Sequence, residues 1–265
     1  MRDSILTELD AIEAREEVRI VYAVESGSRA WGMASADSDY DVRFIYAHRP
    51  EWYLSLEPGR DVIEEPISDR LDISGWDLRK ALRLFGQSNP PLLEWLRSPI
   101  VYRETPEVVG PMRELIPTVF SPERAYHHYW HVARAAHKRF RSGKSPTLKT
   151  FFYILRPLLA ALWVDAYETP PPMTIQALAE AMLPPVLRPE LEQLLAAKRA
   201  GGEKEAAEAI GPLWDFTEGE LRRLSQQERH FPRTWPPMDQ LNVLFRRFLD
   251  TIWNSQHGLR HAERP

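Results

Sequence analysis

The run Glu25-Ser-Gly-Ser-Arg-Ala-Trp-Gly-Met-Ala-Ser-Ala-Asp-Ser-Asp-Tyr-Asp-Val-Arg-Phe44 decides how this chain is read. It follows Arg19-Ile-Val-Tyr-Ala-Val-Glu25, which is rich in β-branched and aromatic residues and predicts a strand. Gly27-Ser28 then forms a turn. A glycine there lets the backbone approach a phosphate closely, and neighbouring N–H groups can make an anion-binding nest. The next strand, Tyr40-Asp-Val-Arg-Phe-Ile-Tyr46, carries Asp41, with Asp39 at its entrance. Residues two apart on a strand share a face. Two like charges on one face are costly unless something positive sits between them, and a divalent cation is the simplest candidate. Nucleotide handling through Mg²⁺ is the expectation that follows.

Working outward, Ile5, Leu9 and Ile12 share one face of a helix predicted over residues 4–16. Beyond Pro50 and an acidic loop at Glu64-Glu65, Leu71-Asp-Ile-Ser74 reads as a third short strand. Its Asp72 faces away from Leu71 and Ile73, available as a third carboxylate beside Asp39 and Asp41. Helical periodicity takes over from Asp77, and Ser88-Asn-Pro-Pro starts another helix with proline in its first turn. Ser121-Pro-Glu-Arg opens a long helix to about Arg141. Thr147 caps the next, and further helices are expected near 174–182, 189–200, 203–210, 216–228 and 238–254. The expected class is α+β: a small mixed β-sheet with flanking helices over 1–100, then a mostly helical C-terminal domain over 101–265.

The chain has 265 residues, enough for one large domain or two modest ones, and with 43% of them hydrophobic and 27% charged its composition is that of a soluble globular protein. The formal net charge of -4 argues against a broadly basic nucleic-acid binder but leaves room for a local basic cleft. There is no cysteine, so disulfides, thiolate catalysis and cysteine-built zinc sites are excluded. The N-terminal residues lack the apolar core of a signal peptide, and no run is long enough to span a membrane. A cytoplasmic protein is expected.

Carboxylates arranged this way can hold two Mg²⁺ ions about 4 Å apart, Asp39 and Asp41 sharing ligation and Asp72 serving mainly the second. One ion would orient a nucleoside triphosphate. The other would activate a hydroxyl in line with the α-phosphate, and pyrophosphate would leave; Mn²⁺ can substitute. The purely structural alternative has Asp39 capping a turn and Asp41 on a solvated strand face.

Gly27-Ser28, ten intervening residues, then Asp39-Tyr40-Asp41 resembles the signature of the DNA polymerase beta nucleotidyltransferase superfamily. Gly-Ser-Arg-Ala-Trp-Gly, Ser38-Asp-Tyr-Asp-Val-Arg-Phe, Asp72-Ile-Ser-Gly-Trp-Asp-Leu-Arg-Lys80 and Ser88-Asn-Pro-Pro-Leu-Leu-Glu-Trp-Leu96 together are similar to its RNA-ligase-associated, or RlaP-like, branch. The resemblance covers roughly residues 18–165. It implies nucleotide transfer with a proposed link to RNA end repair, phosphate handling by Gly27 and Ser28, and metal binding by Asp39, Asp41 and Asp72.

Several cations are candidates for the nucleotide. Arg29 follows the Gly-Ser turn, where a phosphate contact and a structural salt bridge compete. Arg43 shares the carboxylate face by alternation and either neutralises it or touches substrate. Lys149, Tyr153 and Arg156 fall at i, i+4 and i+7 on one helix face; the resemblance inclines them to close over the triphosphate, against the alternative of an exposed surface. Arg79 and Lys80 read better as a solvated helix face. Lys138, Arg139, Arg141 and Lys144 can hold an RNA phosphate backbone, although such a run also complements a helix C-terminus. His127, His128, His131 and His137 invite a metal reading, but oxygen-rich carboxylates suit Mg²⁺ better. Trp31 either stacks on a base or packs its loop. Gly143-Lys144-Ser145 lacks the glycine-rich turn of a P-loop.

Three function classes therefore stand open: transfer of an NMP from an NTP to an RNA hydroxyl, AMP transfer to a protein in a toxin–antitoxin or defence module, and non-catalytic nucleotide or RNA binding. A metal nuclease fits the Gly-Ser turn less well.

Overall fold

The computed structural model describes residues 1–57, 59–67, 70–142, 147–201, 210–231 and 237–254. The chain forms two compact units that do not follow the sequence in simple halves. A sheet unit comprises Met1–Ser26, Asp39–Val119 and Trp235–Pro265, and a helical unit comprises Gly27–Ser38 and Phe120–Thr234. The boundary drawn near residue 100 therefore differs from the compact units at three places.

The sheet unit holds five strands: β1 (Arg19–Glu25), β2 (Tyr40–Ala47), β3 (Val62–Glu64), β4 (Leu71–Asp77) and β5 (Val101–Glu104). Their order is β3-β4-β2-β1-β5. β2 and β4 run parallel, while the other neighbouring pairs are antiparallel. The sheet is mixed, as expected, and β1 and β2, the strands read first from the sequence, lie side by side in its interior. β4 runs three residues past the expected Ser74. Gly75 makes this continuation possible. A Cβ there would lie 2.2 Å from Cε2 of Phe44 on the neighbouring strand, so only glycine leaves room for that ring.

The helix Arg2–Glu16 lays Ile5, Leu9 and Ile12, each fully buried, against Val42, Phe44, Tyr46 and Ile73. Each such side chain contributes about 1.5–3 kcal/mol on leaving water. Asp77 caps the helix Leu78–Gly86, its carboxylate accepting from the Arg79 N–H at 2.8 Å. Asn89 does the same for Pro90–Leu96 through the Leu92 N–H. The C-terminal helix Met238–Asn254 belongs to this unit too: Trp253 Nε1 donates to the His48 carbonyl at 2.9 Å, and Phe245 meets Tyr53 edge-on at 5.0 Å. Periodicity forecast the helix but carries no information about which core receives it.

In the helical unit, Pro122–Ser142 and Leu148–Tyr167 pack against each other. Thr147 and Thr150 form a reciprocal capping box at the start of the second. Ile175–Met182, Arg188–Arg199 and Gly211–Gln226 follow. These match the expected helices within a few residues, and the one expected near 203–210 falls largely outside the described residues, as do Gly143, Lys144 and Ser145.

Candidate active site

β2 and β4 bring two of the three expected carboxylates together. Asp41 stands directly opposite Asp72 in the parallel register, and Arg43 stands opposite Ser74. The Arg43 guanidinium spans both acids: Nη2 lies 2.7 Å from Asp72 Oδ2 and 3.7 Å from Asp41 Oδ1. Nη1 donates to the carbonyls of Val42 at 3.0 Å and Asp72 at 3.1 Å. Arg43 is thus positioned to neutralise the pair, and its place beside both acids is compatible with the substrate contact as well. The three side chains remain 19–32% exposed, so the cluster is open to solvent on one side.

The backbone of Asp41 is pinned at both polar groups by the end of β1. Its N–H donates to Glu25 Oε1 at 2.8 Å, and its carbonyl accepts from the Ser26 N–H at 2.8 Å. Glu25 is fully buried. The Tyr102 hydroxyl donates to its other carboxylate oxygen, and Ser98 Oγ donates to its carbonyl at 2.6 Å. Sequence reasoning passed over Glu25. The available signal was an acidic residue ending an otherwise apolar strand immediately before a Gly-Ser turn.

Asp39 precedes the first residue of β2, lies outside the ladder, and is exposed. Alternation along a strand therefore does not extend to it. Among the described residues no set of three or more His, Asp or Glu side chains is grouped to hold a metal ion. The donor chemistry of the Asp41–Asp72 pair nevertheless suits a hard cation. It consists of carboxylate oxygens partly open to water, and it already takes a positive group in Arg43.

The Gly-Ser turn belongs to the helical unit. Gly27 has φ +59°, the left-handed conformation that glycine adopts without steric cost. Ser28 is 7% exposed, and its carbonyl accepts from the Met33 N–H at 2.8 Å. Arg29 Nη2 donates to the Ser38 carbonyl at 2.7 Å, closing its own loop. The helices anchor the rest of the segment: the Trp31 carbonyl accepts from the Ile175 N–H at 3.0 Å, and Gln176 Nε2 donates to the Gly32 carbonyl at 3.3 Å. Lys198, 3% exposed and not foreseen, donates to the Met33 carbonyl.

Lys149, Tyr153 and Arg156 do share a helix, but their surroundings differ. Lys149 is exposed. Tyr153 meets Trp31 edge-on at 5.9 Å. Arg156 is 2% exposed; it lies 4.3 Å over the Trp31 ring and donates to the Met173 carbonyl at 3.2 and 3.3 Å. The expected basic strip is thus graded from solvent to core, because the helix Leu148–Tyr167 is buried on most sides beyond its first turns. Trp31 lies against Tyr153 and Arg156 of that helix. Lys80 pairs with Asp61 at 2.9 Å, and Arg79 covers Trp52 and Tyr53.

Burial perturbs several groups in the sheet unit, Asp77 among them. Burial raises its carboxyl above the ordinary 3.8, partly offset by the Tyr53 hydroxyl at 2.6 Å and by backbone N–H groups. The Tyr53 hydroxyl is itself raised, by burial first and then by that carboxylate. Tyr22, buried beside Arg113, is pushed up to about 12.

Residues 1–247 match the RNA repair pathway DNA polymerase beta family. The chain belongs to this family. A polymerase beta family reading agrees with the Gly-Ser turn, the carboxylate strand and the α+β architecture. The protein described as "Uncharacterized protein YcgL" from Bacillus subtilis (strain 168) is 46% identical over 255 residues, which cover 96% of this chain and 98% of that one. The crystal structure of a nucleotidyltransferase-like protein from Exiguobacterium sibiricum 255-15 aligns over 84% of this chain and 75% of its own, at 13% identity and a TM-score of 0.32. That likeness is too distant to bear on the site. Among the described residues no helix is long and apolar enough to cross a membrane.

Proposed function

We propose that the protein transfers an NMP from an NTP to a hydroxyl acceptor and releases pyrophosphate, with RNA as the acceptor. The observation that carries this reading is the juxtaposition of Asp41 and Asp72 across β2 and β4, with a cation already between them. The acceptor oxygen forms a bond to the α-phosphorus as the bond from that phosphorus to the pyrophosphate oxygen breaks, and the hydroxyl proton passes to bulk water. Asp41 and Asp72 are the residues to hold Mg²⁺, with Asp39 as the third carboxylate implied by the family signature. A bound divalent cation supplies Lewis acidity at the phosphoryl oxygens and lowers the pKa of the attacking hydroxyl.

Glu25 keeps Asp41 in place by fixing its backbone N–H. Arg43 presents a guanidinium beside both acids and can hold a phosphate oxygen as well as a carboxylate. Gly27 and Ser28 carry the phosphate-handling role that the family signature gives them. Lys149, exposed on its helix, and Arg29 and Arg156, which brace the loop after the Gly-Ser turn, keep the nucleotide roles that the family resemblance implies for them.

The test is transfer of label from each α-labelled NTP, with pyrophosphate release, in Mg²⁺ or Mn²⁺ and with mixed RNAs and cell-extract proteins as acceptors. Label on RNA that falls about 100-fold or more in Asp41→Asn and Asp72→Asn supports the proposal. Label confined to protein would replace RNA by the protein-modifying alternative. Tight NTP binding without turnover under every condition would overturn the transfer reading.

A further inference from the structure

The helical unit carries a second feature that the carboxylate site does not use. A groove of about 270 Å³ is lined by Arg134, His137 and Arg141 from the helix Pro122–Ser142 and by Glu218, Arg222 and Ser225 from Gly211–Gln226. Its charges do not balance. Glu218 is shared by Arg141 at 3.0 Å and His137 at 3.3 Å. The guanidiniums of Arg134 and Arg222, both exposed, have no ion-pair or hydrogen-bond partner among the described residues. In a chain of formal net charge -4, such a local surplus of cations repels itself unless an anion joins it.

The surroundings specify which anion. Arg134 lies 5.3 Å from the Trp130 ring centroid, Trp130 lies 4.8 Å from His131, and His131 stacks on His127 at 6.2 Å. The same helix adds Lys138 and Arg139. Cations for phosphates beside a run of planar rings for bases is the combination that takes a single-stranded nucleic acid. An acidic peptide would use the cations and leave the rings without a role.

We propose that this groove and the ring series beside it bind the single-stranded RNA acceptor, phosphates on Arg134, Arg141 and Arg222 and bases toward Trp130, His131 and His127. The inference rests on the transfer reading for its biological sense, but not for its measurement. Neither Arg134 nor Arg222 belongs to the proposed catalytic set.

The experiment is fluorescence anisotropy of the full chain with a labelled single-stranded RNA of about 12 nucleotides, titrated across about 50–200 mM salt. Arg134→Gln/Arg222→Gln is expected to weaken binding about 10-fold and to reduce the steepness of the salt dependence by about 1.4, two contacts at 0.7 each. Arg134→Lys/Arg222→Lys is expected to restore most of that slope, which a merely structural role would not do. Unchanged circular dichroism confirms that the Gln variant is folded. Equal affinity and slope in wild type and Gln variant would overturn the groove assignment, as would tighter binding of poly-glutamate than of RNA. RNA binding that depends on the two arginines, in a chain that releases no pyrophosphate, would support the groove and count against the transfer reading. Turnover with RNA affinity independent of them would overturn the groove alone.

Discussion

Asp41, Asp72 and Arg43 form a set whose electrostatics are easily unbalanced. Arg43→Gln leaves two carboxylates facing each other across β2 and β4 with their cation gone. Because the group is partly exposed, the expected loss of stability in metal-free buffer is on the order of 1 kcal/mol. Mg²⁺ is expected to raise the Tm of the variant by more than that of the wild type; equal shifts in thermal denaturation would remove the cation from this pair. Asp77 gives a pH signature of a different kind. Its native carboxyl is raised above the unfolded 3.8, so the folded state binds more protons between those two values. Stability contributed by the protonated form is complete below pH 3.8 and is lost as pH rises through the raised native value. Asp77→Asn is expected to flatten that decline, seen in denaturant unfolding at successive pH values. A wild-type decline that persists unchanged in the variant would assign it to another group.

At the scale of elements, what could be read from sequence followed the length of the pattern. β1, β2 and the helix Arg2–Glu16 have enough apolar positions to fix both type and facing side, and all three stand where expected. β3 and β5 span three and four residues, too short for any period to emerge, and their pairing with β4 and β1 makes them strands. The opposition of Asp41 and Asp72 depended on register, which alternation does not supply; alternation gave only the correct face. Arg156 shows the converse limit, since helical spacing grouped it with Lys149 while tertiary packing buried it over Trp31. The contact between β4 and β2 also yields a prediction. Gly75→Ala places a Cβ 2.2 Å from Phe44 and is expected to cost about 1–3 kcal/mol in urea unfolding. Phe44→Leu alone also destabilises, but in the double variant the two losses should sum to less than their separate values. Strict additivity would show that the ring and the glycine do not share that space.

At the scale of the whole molecule, the sheet unit is assembled from stretches far apart in the chain, and its last piece arrives last. Trp253 and Phe245 join residues near 48–53 across about two hundred positions. Such long-range closure slows folding, because loop-closure entropy is spent before the contacts form. A chain ending at residue 237 is expected to lose hydrogen-exchange protection throughout β1, β2 and β4; protection equal to the full chain would make the last helix an accessory.

The stretch Gly27–Ser38 has a practical bearing on protein engineering. Its carbonyls receive Lys198, Gln176 and the Ile175 N–H, so it is structurally a piece of the helical unit embedded in the other unit's sequence. A chimera between this chain and its Bacillus relative that exchanges only the C-terminal portion would separate those donors from the loop they evolved beside. Functional hybrids should instead be cut after residues 26, 38, 119 and 234, so that the Gly-Ser turn travels with its helices while the carboxylate strands stay behind.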